Sequence, residues 1–288
     1  GLSRLAAGAC VGSFYIGVES WLLAEAPKKK RGAALGIYTI ALYLSQSLSQ
    51  VFLDESLDAV AQSYVYSIAF ISLASVPICL SYKRGPEISI AEPQRFSRMF
   101  GVAPLGIWSC FIAGLLLSTL YTLLPVYIDH TQSDVSNLMA VLILGGGVLQ
   151  WPIGKVSDIL SRKIVLLGVA VLSLVPILFL SWSLTTWQLY LNIFFLGGLL
   201  FTLYPIAMAL VCDKVSDQDL IRATGVLTFV YGLGSVLGPS VTPFLKFFTP
   251  YYVPLSLAIG VGSILIAGII FRSKPIKPAD KVDFIPLP

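Results

Sequence analysis

The chain has 288 residues, 56% of them hydrophobic and only 12% charged. A water-soluble domain carries about 25% charged residues, so a soluble globule is excluded. Apolar runs of about 20 residues specify membrane-crossing helices, where a β-barrel would need short alternating segments. The net charge of +4, from 19 basic and 15 acidic residues, reports orientation in a membrane and not nucleic-acid binding.

Nine apolar spans follow one another at about 2–26, 33–53, 63–82, 104–128, 135–153, 164–182, 187–211, 223–245 and 251–271. They predict an all-α polytopic membrane protein with nine transmembrane helices. In the first span Arg4, Gly8, Gly12, Tyr15 and Glu19 recur at helical spacing and share one face. A face carrying Arg, Tyr and Glu cannot point at lipid, so it meets a partner helix or a wet cavity. Arg4 and Glu19 lie roughly 22 Å apart along a helix axis and do not pair directly. The second span carries Gln46 and Gln50, buried amides that need hydrogen-bond partners. Segment 83–103 holds Pro86, Pro93, Lys83, Arg84, Arg95 and Arg98, and reads as a solvated linker between two halves.

The fourth span carries Trp108 and Tyr121, and ends at Asp129 and His130. The fifth contains Gly145-Gly146-Gly147, which reads either as a flexible point or as ordinary tight packing, and Gln150. It runs into a charged island, Gly154-Lys-Val-Ser-Asp158-Ile-Leu-Ser-Arg162-Lys163, in which Gly154 is expected to end the helix. The seventh span carries Asn192, Tyr204 and Pro205, and Asp213 follows it. The eighth carries Gly234, Gly238 and Pro239, with Pro243 beyond. Gly234-x-x-x-Gly238 permits close helix contact, and the prolines would kink the helix. Cys10, Cys79, Cys110 and Cys212 sit inside apolar runs without ligand spacing. The sole histidine, His130, rules out a multi-histidine metal site, so no metal or cofactor is expected.

If the island is cytoplasmic, every second loop is too. All but two of the 19 basic residues, the exceptions being Arg4 and Lys246, then fall on that side or in the tail. Asp54, Glu55, Asp58, Asp129 and Asp134 fall opposite. This split places the C-terminus inside. A gap-free offset also superposes Gly8 on Gly197, Tyr15 on Tyr204 and Gly36 on Gly225. That lays the first two spans over the seventh and eighth in the same direction, as in a parallel repeat.

Gly154-x-x-x-Asp158-x-x-x-Arg162-Lys163 resembles the loop signature of the major facilitator superfamily. Arg4-x-x-x-Gly8 resembles the Arg-Gly motif of that family's fourth helix, and Gly234-Ser-Val-Leu-Gly238-Pro239 its Gly-Pro motif. Val18-Glu19-Ser20, Gln150-Trp151-Pro152-Ile153-Gly154 and Phe201-Thr-Leu-Tyr204-Pro205 resemble a narrower bacterial branch, the YcaD-like transporters. The resemblance covers essentially the whole chain. It implies two six-helix halves, of which this chain holds helices 4 to 12 and lacks the first three. Residues 1–82 would be the remnant of the N-terminal half, 83–103 a cytoplasmic linker, 104–272 the C-terminal half and 273–288 a cytoplasmic tail.

The resemblance further implies a monomeric, non-enzymatic secondary transporter in the bacterial inner membrane. It would move a small solute by alternating access, coupled to protons and surrounded by lipid. The substrate or proton site would draw on Arg4, Tyr15, Glu19, Gln46, Trp108, Tyr121, Gln150, Asn192 and Tyr204. Glu19 has two readings: a titrating proton site, or a structural partner of an arginine in a preceding loop. Gly154, Asp158, Arg162, Lys163, Asp213, Gly234, Gly238 and Pro239 would gate. Asp158 would accept from N–H groups at the start of the second span, and Arg162 would pair with Asp213. Two alternatives stay open: a non-transporting sensor or scaffold on this fold, and an inactive truncated product.

Overall fold

The computed structural model describes residues 2–25, 31–51, 57–80, 103–128, 134–182, 184–215 and 220–271. Nine α-helices appear among them: α1 (Leu2–Glu25), α2 (Arg31–Val51), α3 (Leu57–Leu80), α4 (Pro104–Ile128), α5 (Val135–Ile159), α6 (Arg162–Phe179), α7 (Thr186–Cys212), α8 (Leu220–Val241) and α9 (Tyr252–Ile270). Each falls on one of the nine expected spans, and no strand occurs among the described residues. Helices α4 to α9, with α8 prolonged by its 3₁₀ turn, are long and apolar enough to cross a membrane. Helices α1 to α3 have 24, 21 and 24 residues. At about 1.5 Å per residue each reaches the thickness of a hydrocarbon layer.

Two boundaries differ from expectation. Gly154 does not end its helix: α5 runs on to Ile159. No described glycine has a positive φ, so Gly154 costs α5 only the usual helical penalty of about 1 kcal/mol. The break falls at Leu160 and Ser161 instead. Ser161 accepts from the backbone N–H of Ile164 at 3.3 Å and starts α6 as its N-cap. At the other end of the bundle, α8 passes through Pro239 and then tightens into a 3₁₀ helix at Thr242–Phe247. Pro243 stands in its first turn, where its missing N–H removes no bond.

The two most extensive helix contacts are α4 with α8 and α5 with α7. Lipid tails give no hydrophobic drive between helices, so close packing decides which faces meet. Glycines allow it here. A Cβ on Gly197 of α7 would strike the Leu142 carbonyl of α5, and one on Gly145 would strike the Phe194 carbonyl. In the other pair, a Cβ on Gly114 would strike the Tyr231 carbonyl, and one on Gly234 the Phe111 carbonyl. Ser235 Oγ adds a bond to the Gly114 carbonyl at 3.3 Å.

Helix α7 also packs on α4 and α6, while α9 packs on α4 and α6. The core between them is aliphatic, with Leu116, Leu120, Leu138, Leu142, Leu166, Ile193 and Leu196 inaccessible to solvent. Helix α2 joins this group through α5. Its Ser47 Oγ donates to the Ala140 carbonyl at 2.8 Å, in a buried position. Helix α1 packs on α2, and α3 presents Tyr64, Ile68, Phe70, Ile71 and Leu73 outward.

Candidate functional site

The glycine run of α5 builds a floor at mid-height in the bundle. Each glycine leaves room for a different neighbour. Gly145 admits the α7 backbone at Phe194, Gly146 admits the Phe201 ring, and Gly147 admits Tyr43 of α2, whose Cβ would be 3.3 Å from an added methyl. The run stays helical. Of the two readings the sequence leaves open, a flexible point or tight packing, the contacts at all three glycines show packing.

Above this floor several aromatic rings converge. Phe201 is fully buried, with Tyr43 edge-on at 5.3 Å and Tyr121 tilted at 5.5 Å. Tyr121 Oη donates to Gln46 Oε1 at 3.1 Å, which links α4 to α2. Tyr204 of α7 lies against Tyr231 of α8, with ring centroids 4.7 Å apart. The Tyr204 hydroxyl shares a 3.4 Å bond with Thr228. Tyr15 of α1, like Tyr43 and Tyr231, lies within electrostatic range of the Tyr121 hydroxyl. Gln150 continues the α5 face whose Ala140 and Gly147 meet α2. Its Oε1 is buried and accepts no hydrogen bond. Tyr43, Gly147, Phe201 and Tyr231 all stand near the midpoints of their helices. The seam between α2 and the C-terminal helices is therefore polar and aromatic where a membrane would be most apolar.

Of the sequence-predicted site residues, this seam brings together Tyr15, Gln46, Tyr121, Gln150 and Tyr204. Trp108 goes elsewhere: its Nε1 donates to Ser263 Oγ of α9 at 3.3 Å, and its ring packs on Phe111. Asn192 also faces away, its Nδ2 donating to the Pro176 carbonyl of α6 at 3.1 Å. That carbonyl already accepts from the Leu180 N–H. We expect Asn192→Leu to lower stability by less than about 1 kcal/mol, the scale of interhelical bonds in membranes. Thermal unfolding in detergent would show this, and a change in solute binding would contradict it. Arg4 and Glu19 belong to α1, but their side chains lie outside the described residues. The sequence reading missed Tyr43, Phe201 and Tyr231. Each stands three residues before a residue it did mark, Gln46, Tyr204 and Gly234, on the same helical face.

The island end of the bundle carries the charges. Arg162 Nε donates to Asp213 Oδ2 at 2.7 Å, the pairing expected from sequence. Its Nη1 reaches Asp158 Oδ1 at 3.0 Å and Ser157 Oγ at 3.2 Å. Asp213 is the C-cap of α7, so one guanidinium at the start of α6 holds the ends of α5 and α7. The planar fork of Arg suits several acceptors at once. Lys163 donates to the Phe271 carbonyl at 3.0 Å and so caps the end of α9. Lys155 sits 3.8 Å above the Trp151 ring. Among the described contacts, Asp158 is held by Arg162. Its expected partners are the N–H groups at the start of α2, which is helical from Arg31, and no bond from them to Asp158 is among the described contacts. Gly234 and Gly238 both press on α4, and Pro239 remains helical. No group of three potential metal ligands occurs among the described residues.

The profile of the Major Facilitator Superfamily matches residues 128–286. The chain is 32% identical over 247 residues to a protein of Escherichia fergusonii named "Uncharacterized MFS-type transporter YcaD", an alignment covering 84% of this chain and 64% of that protein. A protein of the same name from Escherichia coli O45:K1 is 31% identical over 249 residues, again covering 84% of this chain and 64% of its own length. The chain thus spans less than two thirds of the length of these curated relatives. The profile match runs from the end of α4 through α9 and takes in the island and the Gly-Pro stretch, and the relatives extend the likeness over most of the remainder. On this sequence evidence and the helical architecture, the chain belongs to the major facilitator superfamily.

Proposed function

We propose that this chain is part of a secondary active transporter that moves a small solute by alternating access. The observation that carries this reading is the mid-height seam, where Gln46 and Tyr43 of α2 meet Tyr121, Phe201 and Gly147. Polar groups in this position are costly in a membrane unless they line a solute path or bond one another. Residues 1–82 belong to the first half, 83–103 form the linker, 104–272 the second half and 273–288 the tail. The solute binds where the two halves meet. The membrane is the bacterial inner one, the C-terminus is cytoplasmic, and the protein works as a monomer.

The Arg162 cluster supports a two-state mechanism. Its bonds hold one arrangement of the island end, and a conformation that separates these groups must break them. Transport is coupled to protons, with Glu19 the carrier, while Arg4, well separated from it along α1, is placed to meet an anionic solute group. The test is solute counterflow and pH-gradient-driven uptake in proteoliposomes containing the full encoded protein. Glu19→Gln mimics the protonated form. It is expected to cut gradient-driven accumulation by about ten-fold while sparing counterflow. Undiminished, still proton-coupled uptake by that variant would remove Glu19 from the mechanism. The absence of both flux modes from a folded wild-type protein would reject transport itself.

A further inference from the structure

We propose that the turn from α8 to α9 is a docking surface for an anionic phospholipid in the leaflet opposite the island. Lys246 meets the lipid phosphate, and Phe244, Phe247 and Phe248 lie among the upper acyl chains. This goes beyond solute transport and stands whether or not the protein transports.

Three observations lead to it. The first concerns position. Lys163 holds the Phe271 carbonyl at the end of α9, so the start of α9 lies at the far end of the bundle from the island. The 3₁₀ helix Thr242–Phe247 and the short turn after it stand there, between two segments long and apolar enough to cross a membrane. The turn therefore sits at the membrane boundary.

The second concerns how the turn is held and what it presents. Thr242 is buried, and its Oγ1 shares hydrogen bonds with Ser256 Oγ of α9 at 2.7 Å and Thr119 Oγ1 of α4 at 3.4 Å. Leu245 packs on the core, and its carbonyl accepts the N–H groups of Phe248 and Thr249 at 3.0 and 3.1 Å. Residues three apart eclipse in a 3₁₀ helix. Thr242 and Leu245 thus fill its inner edge, while Phe244 and Phe247 share an outer one. Phe247 and Phe248 keep 84% and 85% of their surface exposed, and Phe244 is exposed as well. A turn pinned in this way cannot fold its rings back onto the core. They leave water only by entering the membrane.

The third concerns charge. Lys246 is exposed and stands in sequence among these rings. Among the described residues no carboxylate lies within ion-pair distance of it. Its Nζ is 6.0 Å from the Tyr252 ring centroid, at the outer limit of a cation–π contact. A lysine in apolar surroundings extends its stem along them and keeps its ammonium at the polar boundary. In a bilayer that boundary is the layer of lipid phosphates, which supplies the missing counter-charge. A zwitterionic headgroup carries its own ammonium beside the phosphate, whereas an anionic one does not. Charge complementarity therefore selects the anionic class.

The experiment is amide hydrogen exchange on the full chain in lipid nanodiscs. One set of discs holds phosphatidylcholine alone, and the other holds phosphatidylcholine and phosphatidylglycerol in equal amounts. We expect the amides of residues 244–251 to exchange about five-fold more slowly in the mixed discs, with the difference shrinking as salt is raised. Lys246→Gln should abolish the difference. Lys246→Arg should keep it, which separates loss of the charge from damage to the turn. Joint Phe247→Ser and Phe248→Ser should quicken exchange of the turn in both discs. Lys155→Gln, at the island end, should leave the turn as it is in wild type. Equal exchange of the wild-type turn in the two discs overturns the proposal. So does a difference that survives Lys246→Gln, or a turn indifferent to the loss of both rings. Inorganic phosphate added to phosphatidylcholine discs should change nothing; slowing of the turn by it would make this a site for a free anion and overturn the lipid.

Discussion

Gly197→Val is expected to unfold the α5–α7 pair, at a cost of about 3 kcal/mol or more. The added Cβ would collide with the Leu142 carbonyl, and the Leu142 Cα lies only 3.1 Å from it. A side chain could rotate away from such a clash; helix backbone cannot. Separating the helices would also pull Phe201 off Gly146, where the ring lies 2.8 Å from an added Cβ, and would open the seam. The measurement is the unfolding temperature in detergent, with size-exclusion behaviour as a check on folding. Gly168 of α6 is the control, because nothing lies within 4 Å of a Cβ there. Gly168→Ala should raise stability by about 0.5–1 kcal/mol through helix propensity alone. A Gly197→Val protein as stable as wild type would disprove the packing described for α5 and α7.

The second large effect is expected at Arg162. Its side chain is 25% exposed and bonds Asp213, Asp158 and Ser157 together. Arg162→Ala leaves two carboxylates near each other without their shared cation. The exposure of Asp158 and Asp213 lets water recover part of the loss, so we expect a cost of about 1–2 kcal/mol. Arg162→Lys should restore little, since a single ammonium cannot span the same acceptors. Amide hydrogen exchange at the α5–α6 turn and the end of α7 is the readout. Exchange should quicken roughly ten-fold there and stay unchanged near Gly145 and Gly197. A double-mutant cycle with Asp213→Asn isolates the pair. Unaltered exchange in Arg162→Ala would mean the cluster carries no stability.

The helices were legible because apolar runs of membrane length leave little choice of where they begin and end. The Arg162–Asp213 pair was legible too, since both residues are charged and belong to adjacent turns on one side. Gly154 was misread because a glycine before a charge run looks like a stop, and only the Ser161 cap shows where the chain turns. Trp108 and Asn192 were expected in the cavity on residue type and helix number. Helix number does not tell which face a residue occupies, and their faces turn towards α9 and α6. Tyr43, Phe201 and Tyr231 were passed over because aromatic residues in membrane helices are common and usually packing. What distinguishes them is convergence from three helices, which no local pattern encodes.

The close helix pairs have a consequence for how this chain tolerates change. Gly145, Gly197, Gly114 and Gly234 each abut a backbone carbonyl, not a side chain. Every residue type supplies the same carbonyl, so the side chains at Phe194, Leu142, Tyr231 and Phe111 are free of any demand from the glycine opposite. A saturation library should therefore record a lopsided pattern. The glycine members of each pair would accept almost no replacement, while their partners would vary within the limits set by their own other neighbours.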